Sequence, residues 1–557
     1  MRAPGWFGDA AGTWYRRLPD ALTLLLTGWL LWPQRVAGYG LGHDMVFTPN
    51  QPLNGGSVGL GSTPPRAVPL DALVALTGKV VGGAITGRIA LLVPLLLAGW
   101  GAVRLLDSLR APPFSPPARL LAAGAAVWNP FVVERLALGQ WALLWCYGAL
   151  PWLVRAARRR DWLAAGLALA AAAITPTGAV IGAITLLVAG CGRAGWWRPV
   201  GLAVLAQLPW LVPALTSTAS ATSDPRAVAA FAARAERPGG AVLSLLGLGG
   251  VWNADVTPAS RAGTLGFLTT AAVLIGLILG ARAVPRRLLA LGGAGLLLAA
   301  LATVPGGAGL VRWAVRAVPG AGLLRDGQKW LLPAVLVAVL AAAAALDRLR
   351  WRPVLVGVAA VALPLLLLPD GPVTLRTPLQ PVHYPAGWAA AARLVRGSQQ
   401  AVLVLPFASY RSFDWAPGRT VLDPAPRLLD APVLTDDRLV VGQQVLGGED
   451  PAVPAYLAKP NDLAAQGIGW VLVEGGTPGP IPTELSRLSP RLDTPAVQLY
   501  QVPGPVTGVS SGSARKILIV GVDMLVAAAT LLALAWKSGQ RLRPLLHSPV
   551  TSAGSPD

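Results

Sequence analysis

Four short stretches carry the side chains that could do chemistry. "GLGHDMVFTPNQPLN" (40–54) follows an apolar run and places His43 and Asp44 a few residues beyond it. "WNPFVVERLALGQW" (128–141) interrupts two apolar runs: Asn129-Pro130 stops one helix, and Glu134 and Arg135 follow at its edge. "GLLRDGQKW" (322–330) sets Arg325, Asp326, Gln328 and Lys329 at the head of another run. "GVWNADV" (250–256) supplies Trp252, Asn253 and Asp255. A carboxylate held at such an edge can take a proton from an attacking hydroxyl. A guanidinium beside an ammonium stabilises the charge on a departing phosphate or pyrophosphate. A Trp face stacks on the apolar face of a sugar ring. Each group also has a structural reading: His43 and Asp44 as loop residues, Glu134 and Arg135 as a self-satisfied pair, Arg325 and Lys329 as interfacial anchors.

The elements that must position these groups are membrane helices. Of the 557 residues, 54% are hydrophobic and 13% charged, with a mean hydropathy of +0.56. Apolar runs long enough to match a hydrocarbon slab of ~30 Å recur too often to be hidden in a water-soluble core. About twelve are read, at 18–38, 88–106, 118–132, 140–157, 162–176, 178–194, 199–216, 263–281, 287–304, 328–346, 353–369 and 516–536. The third, fifth and sixth are short or broken by Pro. In lipid each must be helical, because a helix satisfies its own backbone.

Basic residues cluster at alternate ends of these runs: Arg16 and Arg17, Arg104 and Arg110, Arg158 to Arg160, Arg193 and Arg198, Arg286 and Arg287, Arg348 to Arg352, and Lys537 to Arg543. Arg312, Arg316 and Arg325 fall on the opposite side and are outnumbered. The positive-inside rule then puts both termini in the cytoplasm of a multi-pass plasma-membrane protein. The net charge of +20 is accordingly a topology and anionic-lipid signal rather than a nucleic-acid one. The first run, lacking a small-residue cleavage site, is read as retained.

Three polar segments fall outside: a long first loop (39–87), a second loop (217–262), and a region at 370–515 ahead of the last helix (516–536) and basic tail (537–557). Within the first loop, "AVPLDALVALTGKVV" (67–81) has the spacing of an amphipathic interfacial helix, with Asp71 on its polar face. In 370–515, "QAVLVLPF" (400–407), "GWVLVEGG" (469–476) and "AVQLYQVP" (496–503) read as strands. Helical stretches at 386–395 and 453–467 alternate with them, so a small extracytoplasmic α/β domain is expected. Its polar string "YRSFDWAPGRTVLDPAPRLL" (410–429), with Tyr410, Asp414, Trp415 and Arg419, and "GGED" (447–450) fit a docking surface or ordinary turns.

The arrangement resembles the GT-C superfamily of membrane glycosyltransferases. It is similar, more narrowly, to actinobacterial cell-envelope arabinofuranosyl- and mannosyltransferase-like membrane proteins. "GHDMVF" (42–47), "WNPFVVERLALGQWALL" (128–144) and "GLLRDGQKWLL" (322–332) carry the resemblance. It implies a GT-C-like domain over 1–369, a polyprenyl-phosphate sugar donor, an inverting transfer on the outer face, and an envelope polysaccharide or glycolipid as acceptor. It also implies membrane lipids and envelope-assembly proteins as partners, and a possible divalent cation, Mg or Mn. By that resemblance Asp44 is the base and Glu134 a second acid. Arg325 and Lys329 clamp the lipid phosphate, and His43, Arg135, Trp252 and Asn253 contact substrate. Many such enzymes carry paired acids in the first loop; here Asp44 stands without a close acidic neighbour.

Other chemistries are disfavoured. No phosphate loop, dinucleotide turn, nucleophile elbow or H-E-x-x-H stands in a supporting context. Three histidines and two cysteines, Cys146 and Cys191, leave little for a metal site, and none is assigned. Charges inside the apolar runs are almost absent, Asp523 being the main exception, which disfavours a proton-coupled transporter with a midplane relay. A non-catalytic scaffold or glycolipid-binding protein is the second reading, and a lipid or glycan transporter the third.

Overall fold

The computed structural model of the chain describes residues 9–61, 65, 67–192, 195–217, 224–349, 352–434, 436, 439–441, 444–446, 463–477, 479, 481, 485, 488–506 and 512–546. Among them, four helices are long and apolar enough to cross a membrane: Gly83–Asp107, Thr264–Ala283, Gly327–Leu346 and Ser513–Gln540. Two bent pairs, Trp197–Leu205 with Leu208–Thr216 and Pro353–Leu367 with Gly371–Leu379, raise the number to six. The twelve spans read from hydropathy are not reached by this measure, and proline is much of the reason.

Proline restarts several of the expected runs. The helix Pro116–Val127 ends ahead of Asn129, whose side chain accepts from the Val132 amide at 3.1 Å and caps the helix Pro130–Ala137. Thr175 does the same for Pro176–Gly190, accepting from Gly178 at 3.1 Å and parting it from Trp162–Ala172. A Pro at the first helical position fits because its missing N–H would have had no partner there. Short helices therefore alternate with sharp turns, and those turns bring polar groups together.

The helix Leu332–Leu346 lies at the centre, with Leu332, Val335, Leu336, Val339, Leu340 and Ala343 all buried. Helices Pro116–Val127, Thr264–Gly280 and Arg286–Leu301 pack on it. The interfacial helix is present as Leu70–Val81, but its apolar side chains divide. Val74 and Ala75 turn inward, while Leu73, Leu76 and Val80 point out.

Past Leu379 the chain changes character. Five strands run in the order Pro490–Asp493, Val497–Gln501, Ile468–Glu474, Ala401–Leu405, Val433–Leu434. Ala401–Leu405 pairs parallel to both its neighbours and is buried along its whole length, as its unbroken apolar sequence requires. Trp388 fills the layer beneath with Phe413 and Trp415, whose rings stack at 4.7 Å. A helix at Ala386–Leu394 covers the sheet as expected. Residues 447–450 and most of the expected helix 453–467 lie outside the described residues.

The first loop is stitched to this sheet region. Leu41–Gly42 and Met45–Val46 form a hairpin with His43 and Asp44 at its tip. The His43 amide donates to Thr420 at 2.9 Å, and the Leu422 amide donates back to His43 at 2.8 Å. Arg419 reaches the Leu41 carbonyl at 2.9 Å. Backbone pairing of this kind fixes register, so the hairpin tip and the sheet region move as one piece.

Candidate functional site

Asp44 sits at the tip of the hairpin, half-buried. Its Oδ1 accepts from the Tyr410 hydroxyl at 2.5 Å, and its Oδ2 accepts from the Gln140 amide at 2.9 Å. Its own amide donates to the Leu138 carbonyl at 3.1 Å. Two segments far apart in sequence, the turn at 138–140 and Tyr410, thus aim one carboxylate. His43 before it holds a left-handed backbone (φ 46°), a region where a residue with a Cβ is rarely found unless its surroundings enforce it.

The turn that supplies Gln140 approaches the hairpin at Gly139. A Cβ there would lie 2.4 Å from both the Gly42 carbonyl and the Met45 amide, and Gly139 has φ 72°. Only glycine permits both the closeness and the conformation.

Tyr410 is aimed by strand alternation. Next to it on Tyr410–Arg411, Arg411 points the other way into a buried cluster, 3.1 Å from Asp423 and 2.9 Å from Glu474. Burial, the Asp44 charge and the hydrogen bond to Asp44 hold the Tyr410 proton in place, raising its pKa well above the usual phenol range. Tyr410 is therefore a permanent donor to Asp44. His43 is shifted the other way: burial lowers its pKa against the opposing pull of Asp44 and Asp255, so its imidazole is neutral near neutral pH.

A relay leads inward from Asp44. The Gln140 carbonyl accepts from Arg135, and Arg135 closes a two-pronged pair on Asp326 at 2.8 and 3.0 Å. Lys329 stands 3.5 Å from the same carboxylate and is partly exposed. Burial alone would raise the Asp326 pKa, but Arg135 and Lys329 override it and bring the carboxyl down to about 2. Arg135 is fully buried, its charge committed to Asp326.

Glu134 faces a second network. It accepts from Gln328 at 2.6 Å and from the Val251 amide at 3.3 Å. Beside it, Glu236 is held by Arg261 at 2.9 Å and by the Gly250 amide at 2.6 Å. Burial first, then the adjacent Glu236 charge, raises the Glu134 pKa well above the carboxylate range. The Arg325 guanidinium lies 4.7 Å from the Phe231 ring centroid, and Phe231 meets Trp252 edge-on at 4.7 Å. Asn253 caps its own turn, accepting from the Asp255 amide at 2.9 Å.

Of the expected residues, Asp44, Arg135 and Lys329 thus share one connected chain. Glu134 lies on the neighbouring one, Arg325 and Trp252 meet through Phe231, and Asn253 points into its own turn. Gln140, Asp326, Tyr410 and Glu236 complete the networks; Asp326 and Tyr410 stand in stretches the sequence singles out, but nothing local assigns any of the four a role at Asp44 or Glu134. Among the described residues no cluster of three or more His, Cys, Asp or Glu is placed to hold a metal ion. The hydrogen-bond partners of Asp44 are donors, not carboxylates, so the residues around it do not fit the divalent cation implied by the family resemblance.

A large cavity of about 1720 Å³ opens beside the first loop and its interfacial helix. Leu73, Leu76, Trp162, Leu202 and Leu531 wall it, and Asp71 stands at its border with the sheet region.

No family model matches the chain, and no curated protein matches it. Its fold does have a solved counterpart, the cryo-EM structure of the arabinofuranosyltransferase AftD from mycobacteria. The TM-score is 0.56 with 19% identity, over 89% of this chain and 40% of that one. A mutant of the same protein, R1389S, aligns at 0.49 with 18% identity. The chain is a membrane protein with an AftD-like fold, and it spans less than half the length of that relative.

Proposed function

We propose that the chain is a glycosyltransferase that takes a sugar from a polyprenyl-phosphate donor. It acts on the outer face of the plasma membrane, on an envelope polysaccharide or glycolipid. The observation that carries this reading is the relay from Asp44 through Gln140, Arg135 and Asp326 to Lys329, which ties a base to a cation. The AftD-like fold supports the reaction class, and the basic clusters support termini in the cytoplasm.

Asp44 is the base. Each of its oxygens accepts one hydrogen bond, and a carboxylate oxygen has a second lone pair to offer. The acceptor hydroxyl attacks the anomeric carbon, its proton passes to Asp44, and the bond from that carbon to the phosphate oxygen breaks. The lipid phosphate departs with the electron pair and the anomeric configuration inverts. Arg325 and Lys329 stabilise the charge that accumulates on it. Trp252 and His43 border the sugar. Glu134 keeps its proton and braces the loop at Val251, and Arg135 positions Gln140.

A second reading is a non-catalytic glycolipid-binding scaffold, and one observation favours it: both Asp44 oxygens are already engaged by protein donors. The two separate in a transfer assay with the purified chain in nanodiscs. A polyprenyl-phosphate pentofuranose and a labelled oligosaccharide acceptor are supplied, with a hexose donor in parallel. Transfer from either donor supports the enzyme; tight donor binding with no product supports the scaffold.

A further inference from the structure

Arg427 pairs with Asp71, a residue that lines the apolar cavity. The turn that presents Arg427 is set by Asp423, whose carboxylate accepts from the Ala425 amide at 2.7 Å. Its backbone carbonyl is tied to the first loop by Thr48 at 3.0 Å. The side chain crosses to the interfacial helix, where Nε donates to Asp71 Oδ1 at 2.9 Å. Among the described residues Nε is the nitrogen that takes part in this pair, and the two terminal nitrogens have no hydrogen bond drawn to them. The Asp44 charge acts on Arg427, and Tyr410, which donates to Asp44 at 2.5 Å, is part of the same surroundings, so Arg427 lies within electrostatic reach of the reacting carboxylate.

Asp71 also lines the cavity, and its backbone carbonyl accepts from Gln51 at 3.2 Å. The ion pair therefore lies where the apolar wall of Leu73 and Leu76 meets the polar floor. Lys516 is a cation on the lining itself, and Asp430 and Asp523 are its other acids. A molecule with a long apolar chain and a single anionic head satisfies both halves of this surface, since the chain fills the cavity and the head meets a guanidinium with two free donors.

We infer that Arg427 binds the phosphate of the lipid-linked donor and that Asp71 is the carboxylate it is exchanged from. The inference rests on the donor reading above and names a contact from the sheet region that this reading lacks. Asp71 holds the guanidinium in position while the site is empty and competes with the phosphate when it arrives. The ligand is a polyprenyl phosphate rather than a bilayer phospholipid, because the same guanidinium lies within electrostatic reach of Asp44, which has a use only for a lipid that brings a sugar.

The test measures binding to the full-length chain in nanodiscs, using undecaprenyl phosphate, undecaprenol and phosphatidylglycerol as probes. Wild type is expected to prefer undecaprenyl phosphate to undecaprenol. Arg427→Gln should lose about tenfold or more of that preference, the size of a lost charge-assisted hydrogen bond, with undecaprenol binding unchanged. Arg427→Lys should retain part of it. Asp71→Asn should tighten undecaprenyl phosphate binding severalfold, because the competing carboxylate is gone. A pair serving only as a strut would make both substitutions weaken all probes alike, and that result overturns the inference. So does an undiminished preference in Arg427→Gln, which leaves the donor reading standing. Wild-type binding that does not distinguish phosphate from alcohol, or that prefers phosphatidylglycerol, removes the donor reading and this one with it.

Discussion

The Gln140 amide donates to Asp44 Oδ2 across 2.9 Å while its carbonyl accepts from Arg135, so one neutral side chain couples the loop carboxylate to a buried ion pair. An amide can do this because it has a donor and an acceptor end. Gln140→Glu keeps the acceptor for Arg135 but places a negative charge against Asp44, whereas Gln140→Leu loses both contacts. The expected order of transfer activity is wild type, then Leu, then Glu, with Glu showing the greatest rise in the pH of its acid limb. A pH-rate profile of the three forms checks it, and matching profiles would remove Gln140 from the site.

The Arg135–Asp326 pair should matter most for stability. Breaking a buried pair leaves one charge uncompensated and costs about 3–5 kcal/mol. Asp326→Asn should cost more than Arg135→Gln, because Lys329 still neutralises Asp326 in the latter. The pH dependence follows from the depressed Asp326 pKa, 3.8 in the unfolded chain and about 2 in the folded one. Its contribution is complete above the unfolded value and disappears as pH falls through the window between the two. Thermal unfolding in detergent, scanned across acid pH, reports both effects.

Glu134 should behave in the opposite sense. Its folded pKa is raised from 4.5, so the stabilising protonated form is fully present below that value and is lost as pH rises through the folded one. Glu134→Gln imitates the protonated acid and should remove that dependence, leaving the protein as stable as wild type in mild acid and more stable at pH 8. Glu236→Gln should be harmful at every pH, because Arg261 and Arg237 then lack their carboxylate. Unfolding midpoints for the two variants at pH 5 and pH 8 separate the cases.

Hydropathy made the membrane helices legible, and β-branched runs made the strands at Ala401–Leu405, Ile468–Glu474 and Val497–Gln501 legible, because both signals are local. The number of spans was less so: a window of apolar residues does not register that Asn129-Pro130 and Thr175-Pro176 restart the helix. The site residues divide in the same way. Asp44, Glu134 and Lys329 stand out as ionisable groups at the edges of apolar runs. Tyr410 and Arg427 lie more than 350 residues from their partners Asp44 and Asp71, and nothing in their neighbourhood announces the pairing. Asp71 looked like the polar face of an interfacial helix; its partner comes from the sheet region. Gly139 is a spacing signal whose meaning appears only when the hairpin lies against it.

The most direct test of the account replaces Asp44 by Asn in the purified chain and measures sugar transfer from the polyprenyl-phosphate donor, with donor affinity determined alongside. Asn is close in size and still accepts from Tyr410, but it cannot take a proton. The account predicts a fall in kcat of about 10²–10⁴, the range for loss of a general base, with donor affinity within a few fold of wild type and an unfolding midpoint lowered only by the lost Gln140 hydrogen bond. Full activity in Asp44→Asn would contradict it and leave the carboxylate as the structural tip of its hairpin.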